Sequence, residues 1–127
     1  MSARFFLISG LCMMIVAVLL GAFGAHALKA TFSDYQIQIW KTASDYHFYH
    51  AFGLIALGIW AQKNTLTRLG IAAGICLILG LLIFSGSLYL LAISGISKLG
   101  MLTPFGGLLF IAGWSLWLAS VLRQHSP

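Results

Sequence analysis

The side chains of this sequence that could do chemistry are few, and they fall near one another in the chain order. They are His26, then Tyr46, His47 and His50, then Ser85, Ser87 and Tyr89, and finally Thr103. His47 and His50 stand at i and i+3, so a helix brings both imidazoles toward one face. With His26 approaching from a neighbouring helix, His26, His47 and His50 could form a metal site of neutral imidazoles, suited to zinc or copper rather than magnesium. Asp45 is the one nearby candidate for a fourth ligand. Proton handling is a second possibility, because His titrates near neutral pH and Tyr and Ser hydroxyls can extend a hydrogen-bonded chain. The plainer reading is that the histidines hydrogen-bond to Ser, Thr, Tyr or backbone at the membrane interface, with no metal and no cofactor.

Much chemistry is missing. There is no GxSxG, no HExxH, no P-loop and no pair of carboxylates close enough for acid-base work. Asp34 and Asp45 are the only acidic residues in the chain. The expectation is that the protein is not an enzyme. The formal net charge is +5, yet Arg4, Lys29, Lys41, Lys63, Arg68, Lys98 and Arg123 are scattered singly. That is no phosphate-tracking stripe, and nucleic acid is not an expected partner.

The elements that must position these residues follow from composition. Hydrophobic residues make up 61% of the chain and charged residues 7%, against about 25% charged in soluble domains. So much apolar surface cannot be hidden in one small domain; the lipid bilayer is the expected partner. Uncharged runs long enough to cross about 30 Å of hydrocarbon appear four times, and each can satisfy its backbone only as a helix. The reading is a single domain over residues 1–127, all-α, a four-transmembrane-helix bundle with spans near 5–28, 46–62, 69–93 and 101–122. The Ala25-His26-Ala27 triplet resembles a signal cleavage site, but the run before it is longer than a signal core, so it is expected to stay as a span.

An amphipathic interfacial helix is expected before the second span, over residues 33–45. Ser33-Asp34-Tyr35-Gln36 is a capping box, and Asp34, Gln38, Lys41 and Asp45 recur on one helical face. Ile39, Ala43, Tyr46 and His50 recur on another, while Phe32 and Trp40 read as interfacial anchors. Thr103-Pro104 reads as N-cap and first helical position of the last span. Ser85 and Ser87 can bond back to the preceding turn, and Gly86 permits close approach or a bend. Ala17, Gly21 and Ala25, and Gly70 with Gly74, offer small-residue contacts; Gly70-Gly74 could instead serve a homo-oligomer or another membrane-protein partner. Placing Arg4, Lys63, Arg68 and Arg123 on the cytoplasmic side puts both termini there.

Several segments carry a family likeness. Gly21-Ala22-Phe23-Gly24-Ala25-His26, His50-Ala51, Phe84-Ser85-Gly86-Ser87-Leu88-Tyr89, Thr103-Pro104-Phe105-Gly106-Gly107 and Ala112-Gly113-Trp114 occur in order along nearly the whole chain. On these the sequence resembles the YgdD/YwdK family of small bacterial inner-membrane proteins, a domain of unknown function, with transmembrane protein 256 as a distant eukaryotic relative. The resemblance implies four spans and the bacterial inner membrane, and it brings no reaction, substrate or cofactor.

Alternating chain direction gathers the polar residues toward one side of the membrane. The expected function is binding of a small ligand, a lipid headgroup or a partner protein in a one-sided pocket of His26, Tyr46, His47, His50, Ser85, Ser87, Tyr89 and Thr103. The alternative is a small transporter or an ion- or proton-conducting subunit, or the His-based metal site.

Overall fold

Hydroxyl and glycine caps divide the chain. Ser2 accepts from the Phe5 N–H, Ser33 from Gln36 and Thr67 from Gly70, each opening a helix. Gly95, at φ 70°, closes one in the left-handed conformation that favours glycine. The computed structural model describes residues 1–124, as α1 (Ala3–Phe23), α2 (Asp34–Lys63), α3 (Arg68–Ser94) and α4 (Thr103–Gln124). A π-helical turn, Gly24–Leu28, extends α1, and a 3-10 turn, Ser97–Met101, leads into α4. The end of the chain, expected in the cytoplasm, lies outside the described residues.

α1 packs on α2, α2 on α3 and α3 on α4. Neighbours run antiparallel: Gly58 meets Leu7 while Gly24 meets Trp40, and Gly113 meets Leu77 while Gly106 meets Phe84. A Cβ on Gly58 would lie 2.6 Å from the Leu7 nitrogen, so only glycine lets the α1 and α2 backbones approach this closely. Gly74 receives the ring of Phe6, so this part of the Gly70-Gly74 pair is occupied within the chain. Phe6, Leu54, Leu57, Leu77, Leu81 and Phe110 form the main core. Gly86 has no atom facing it within 4 Å, so it does not serve close approach.

Among the described residues, three helical segments, Ala3–Leu28, Arg68–Ser94 and Ser97–Gln124, are long and apolar enough to cross a membrane by length and composition. α2 is not among them. Its first half carries Asp34, Lys41 and Asp45, and His47 and His50 follow. It is nevertheless one continuous helix from Asp34 to Lys63, about 45 Å long, with no break between residues 33–45 and 46–62.

The buried stripe of α2 differs from the expected one. Trp40, Ala43, Ser44, His47 and His50 face inward, while Tyr46 is 39% exposed. Trp40 is therefore not an interfacial anchor. It is 4% exposed, packed against the bare backbone of Gly24, and its indole N–H donates to the Leu20 carbonyl at 3.0 Å. Its carbonyl partner lies one turn before the π-helical segment, where the regular ladder of α1 is interrupted.

Candidate functional site

The polar residues singled out in the sequence do not form one pocket. Between α2 and α3, His47 is buried, and its Nδ1 lies 3.2 Å from the Tyr89 hydroxyl. Its buried Nε2 makes no hydrogen bond of good geometry among the described residues, although the Met13 backbone of α1 approaches the ring. The indole of Trp40 meets the Tyr89 ring at a 4.6 Å centroid separation. Ser85, fully buried, donates to the Ala43 carbonyl at 2.8 Å, crossing to α2 rather than bonding back along α3.

His50 faces a different way. Its Nδ1 lies 2.7 Å from the Tyr46 carbonyl. A carbonyl can only accept, so Nδ1 carries the proton, and in the neutral ring Nε2 is a bare acceptor. The ring stacks on Phe110 of α4, with centroids 3.3 Å apart and planes 8° from parallel. Tyr46 packs on Phe84 at 4.5 Å. Together with Trp114 and Pro104 these rings wall an open cleft of about 590 Å³ between α2 and α4. His50 lies sixteen residues after the first residue of α2 and thirteen before its last. It is thus about 20 Å from the nearer end of α2.

Ser87 and Thr103 pair across α3 and α4 at 2.7 Å. Ser87 has one proton and directs it to the Phe84 carbonyl at 2.9 Å, so Thr103 is the donor to Ser87. α4 does begin at Thr103, but the Thr103 hydroxyl is spent on α3 and is not an N-cap; the Leu102 carbonyl accepts from Phe105 and Gly106. His26 is exposed on the π-helical turn. Among the described residues no three His, Cys, Asp or Glu side chains are gathered in a way that could hold a metal, so the site imagined for His26, His47 and His50 does not form.

A second cleft, about 350 Å³, opens between α1 and α2 and is lined by Gly21, Ala25, Lys29, Trp40, Lys41 and Asp45 among others. Lys41 and Asp45 pair at 2.6 Å. The hydrogen bond to Asp45, and then the carboxylate charge, hold the Lys41 ammonium above its usual range. The sequence pattern gave no site role to Phe84, Phe110 or Gly24, although Phe84 and Gly24 lie in the segments that carry the family likeness. Phe84 and Phe110 are aromatic in apolar runs, and only the register between helices makes them walls. Gly24 had a local signal, the small-residue cluster Gly21–Ala25, but not its tryptophan partner.

The family model described as "Protein of unknown function (DUF423)" matches residues 20–107, which hold both clefts' α1, α2 and α3 walls and the start of α4. Curated relatives match over almost the whole chain. UPF0382 membrane protein SH2409 of Staphylococcus haemolyticus is 43% identical over 119 residues, covering 94% of this chain and 95% of the relative. UPF0382 membrane protein YwdK of Bacillus subtilis is 39% identical, covering 94% and 98%. UPF0382 inner membrane protein YgdD of Escherichia coli is 35% identical, covering 97% and 93%. No solved structure matches. With its apolar helices and these relatives along its length, the chain is an integral membrane protein and belongs to the DUF423 family of UPF0382 membrane proteins.

Proposed function

We propose that this protein crosses the bacterial inner membrane four times and binds, without transforming it, a small amphiphile in the α2–α4 cleft. The fourth crossing is α2. It is packed between α1 and α3, both apolar enough to span, and a helix held along two spans shares their bilayer. Residues 33–45 then form its interfacial portion, carrying the Lys41–Asp45 pair, and both termini face the cytoplasm with Arg4, Lys63, Arg68 and Arg123.

The observation that carries the binding reading is His50. A buried polar ring walled by apolar helices is costly in hydrocarbon and is a functional hypothesis by default. Here one nitrogen is committed to Tyr46 and the other has no hydrogen-bond partner among the described residues, beside an aromatic cleft. The complement to a bare imidazole nitrogen among flat apolar rings is a hydroxyl or N–H on an apolar, preferably planar, body. The core of Phe6, Leu54, Leu57, Leu77, Leu81 and Phe110 fills the bundle behind the cleft, which favours a one-sided site over a conducting path.

The test is photolabelling of the reconstituted protein with a diazirine-bearing aromatic alcohol. Labelling is expected in α2 and α4 near His50. His50→Phe keeps the stack on Phe110 and removes the acceptor, so labelling should fall about fivefold, the equivalent of one hydrogen bond worth about 1 kcal/mol. Equal labelling of the two proteins would sink the reading.

A further inference from the structure

We propose that the cleft between α1 and α2 holds the phosphate of an anionic membrane phospholipid. This cleft is distinct from the one that contains His50. It lies where α1 ends and α2 begins, the level at which the chain leaves its apolar run. Its floor is apolar: Gly21, Gly24 and Ala25 from the end of α1 and the indole of Trp40 from α2. Its polar groups include Lys29, Lys41 and Asp45.

Charge decides the class of occupant. Two ammonium groups against one carboxylate leave the cleft net positive. Asp45 is taken up by Lys41 at 2.6 Å, and Lys29 has no carboxylate partner among the described residues. A phosphodiester carries one negative charge and supplies the missing partner. The π-helical turn places this cation: Ala25 within it and Lys29 directly after it both line the cleft, four residues apart. The apolar lining of Gly21, Ala25 and Trp40 suits the glycerol and first acyl carbons of a lipid. Free inorganic phosphate would use the cation but would leave the apolar floor empty, so a lipid is the better match.

The full-length protein in mixed micelles, with bound lipid counted by native mass spectrometry, tests this. Phosphatidylglycerol should be retained about fivefold over phosphatidylcholine, the worth of one basic residue near a membrane surface. Lys29→Gln should abolish the preference. Ala25→Phe should reduce retention with every charge intact, because it fills the cleft. Lys98→Gln removes an exposed cation from the turn before α4, at the same end of the bundle but outside the cleft, and should change nothing. The proposal is overturned if Lys29→Gln has no effect or if Lys98→Gln matches it. It is also overturned if phosphatidylethanolamine is held as well as phosphatidylglycerol, or if millimolar inorganic phosphate displaces the lipid.

Discussion

Gly58 and Gly86 both lie inside long helices and differ in what faces them. A Cβ on Gly58 would strike the Leu7 backbone, whereas one on Gly86 would meet nothing within 4 Å. Gly58→Ala should therefore force α1 and α2 apart and cost about 1–3 kcal/mol of stability. Gly86→Ala should gain about 0.5–1 kcal/mol by relieving the entropic cost of a helical glycine. Thermal unfolding in detergent checks both, and shifts of the same sign would contradict the packing described. His47 allows a sharper argument. Tyr89→Phe strips the partner of Nδ1 from a buried ring, so it should cost about 1–2 kcal/mol. His47→Leu with Tyr89→Phe removes both polar groups, and the double variant should recover most of that loss. If it does, the imidazole is not kept for stability. If the double variant is the least stable of all, His47 is a structural linchpin.

At the scale of elements, what is local in space was legible in the sequence and what depends on register was not. The capping box is the clearest case: the Gln36 side chain accepts from the Ser33 N–H at 2.9 Å, as S-x-x-Q spacing implies. The same side chain also donates to the Ala92 carbonyl at 2.9 Å, near the end of α3, and nothing in the local pattern announces a partner so far along the chain. The two roles are separable. Gln36→Glu keeps the acceptor for the cap and loses the donor, so hydrogen exchange should quicken at the end of α3 while the start of α2 stays protected. Gln36→Ala should loosen both, at a cost of about 0.5–2 kcal/mol for the cap. Faster exchange at both ends in Gln36→Glu would show that cap and bridge are one unit. The same distinction explains the site. Spacing put His47 and His50 on neighbouring positions of one helix, but only the contacts of α2 with α3 and α4 send one ring to Tyr89 and the other to Phe110. Trp40 was misjudged for the same reason, because its seat is a glycine on another helix.

For the whole molecule, the crossing count turns on α2. Apolarity alone identifies three segments able to span, and three crossings would leave the termini on opposite sides of the membrane. The fourth crossing proposed above rests on packing. α2 runs the length of α1, from Gly58 against Leu7 to Trp40 against Gly24, and it contributes Leu54 and Leu57 to the main core. A helix so placed cannot lie on the surface without exposing that core. Its low apolarity is concentrated in its first half and in His47 and His50, which face neighbouring helices. Hydropathy averages along a helix and is blind to which face a polar residue occupies, so it undercounts helices whose polar groups point inward. Reporters fused separately to the two ends should therefore both report cytoplasm. A membrane-impermeant thiol reagent, applied to intact cells with each protein also carrying Cys12→Ser and Cys76→Ser, should label Lys98→Cys from outside and not Thr65→Cys. Termini on opposite sides would leave α2 outside the bilayer and remove the membrane setting on which the His50 cleft depends.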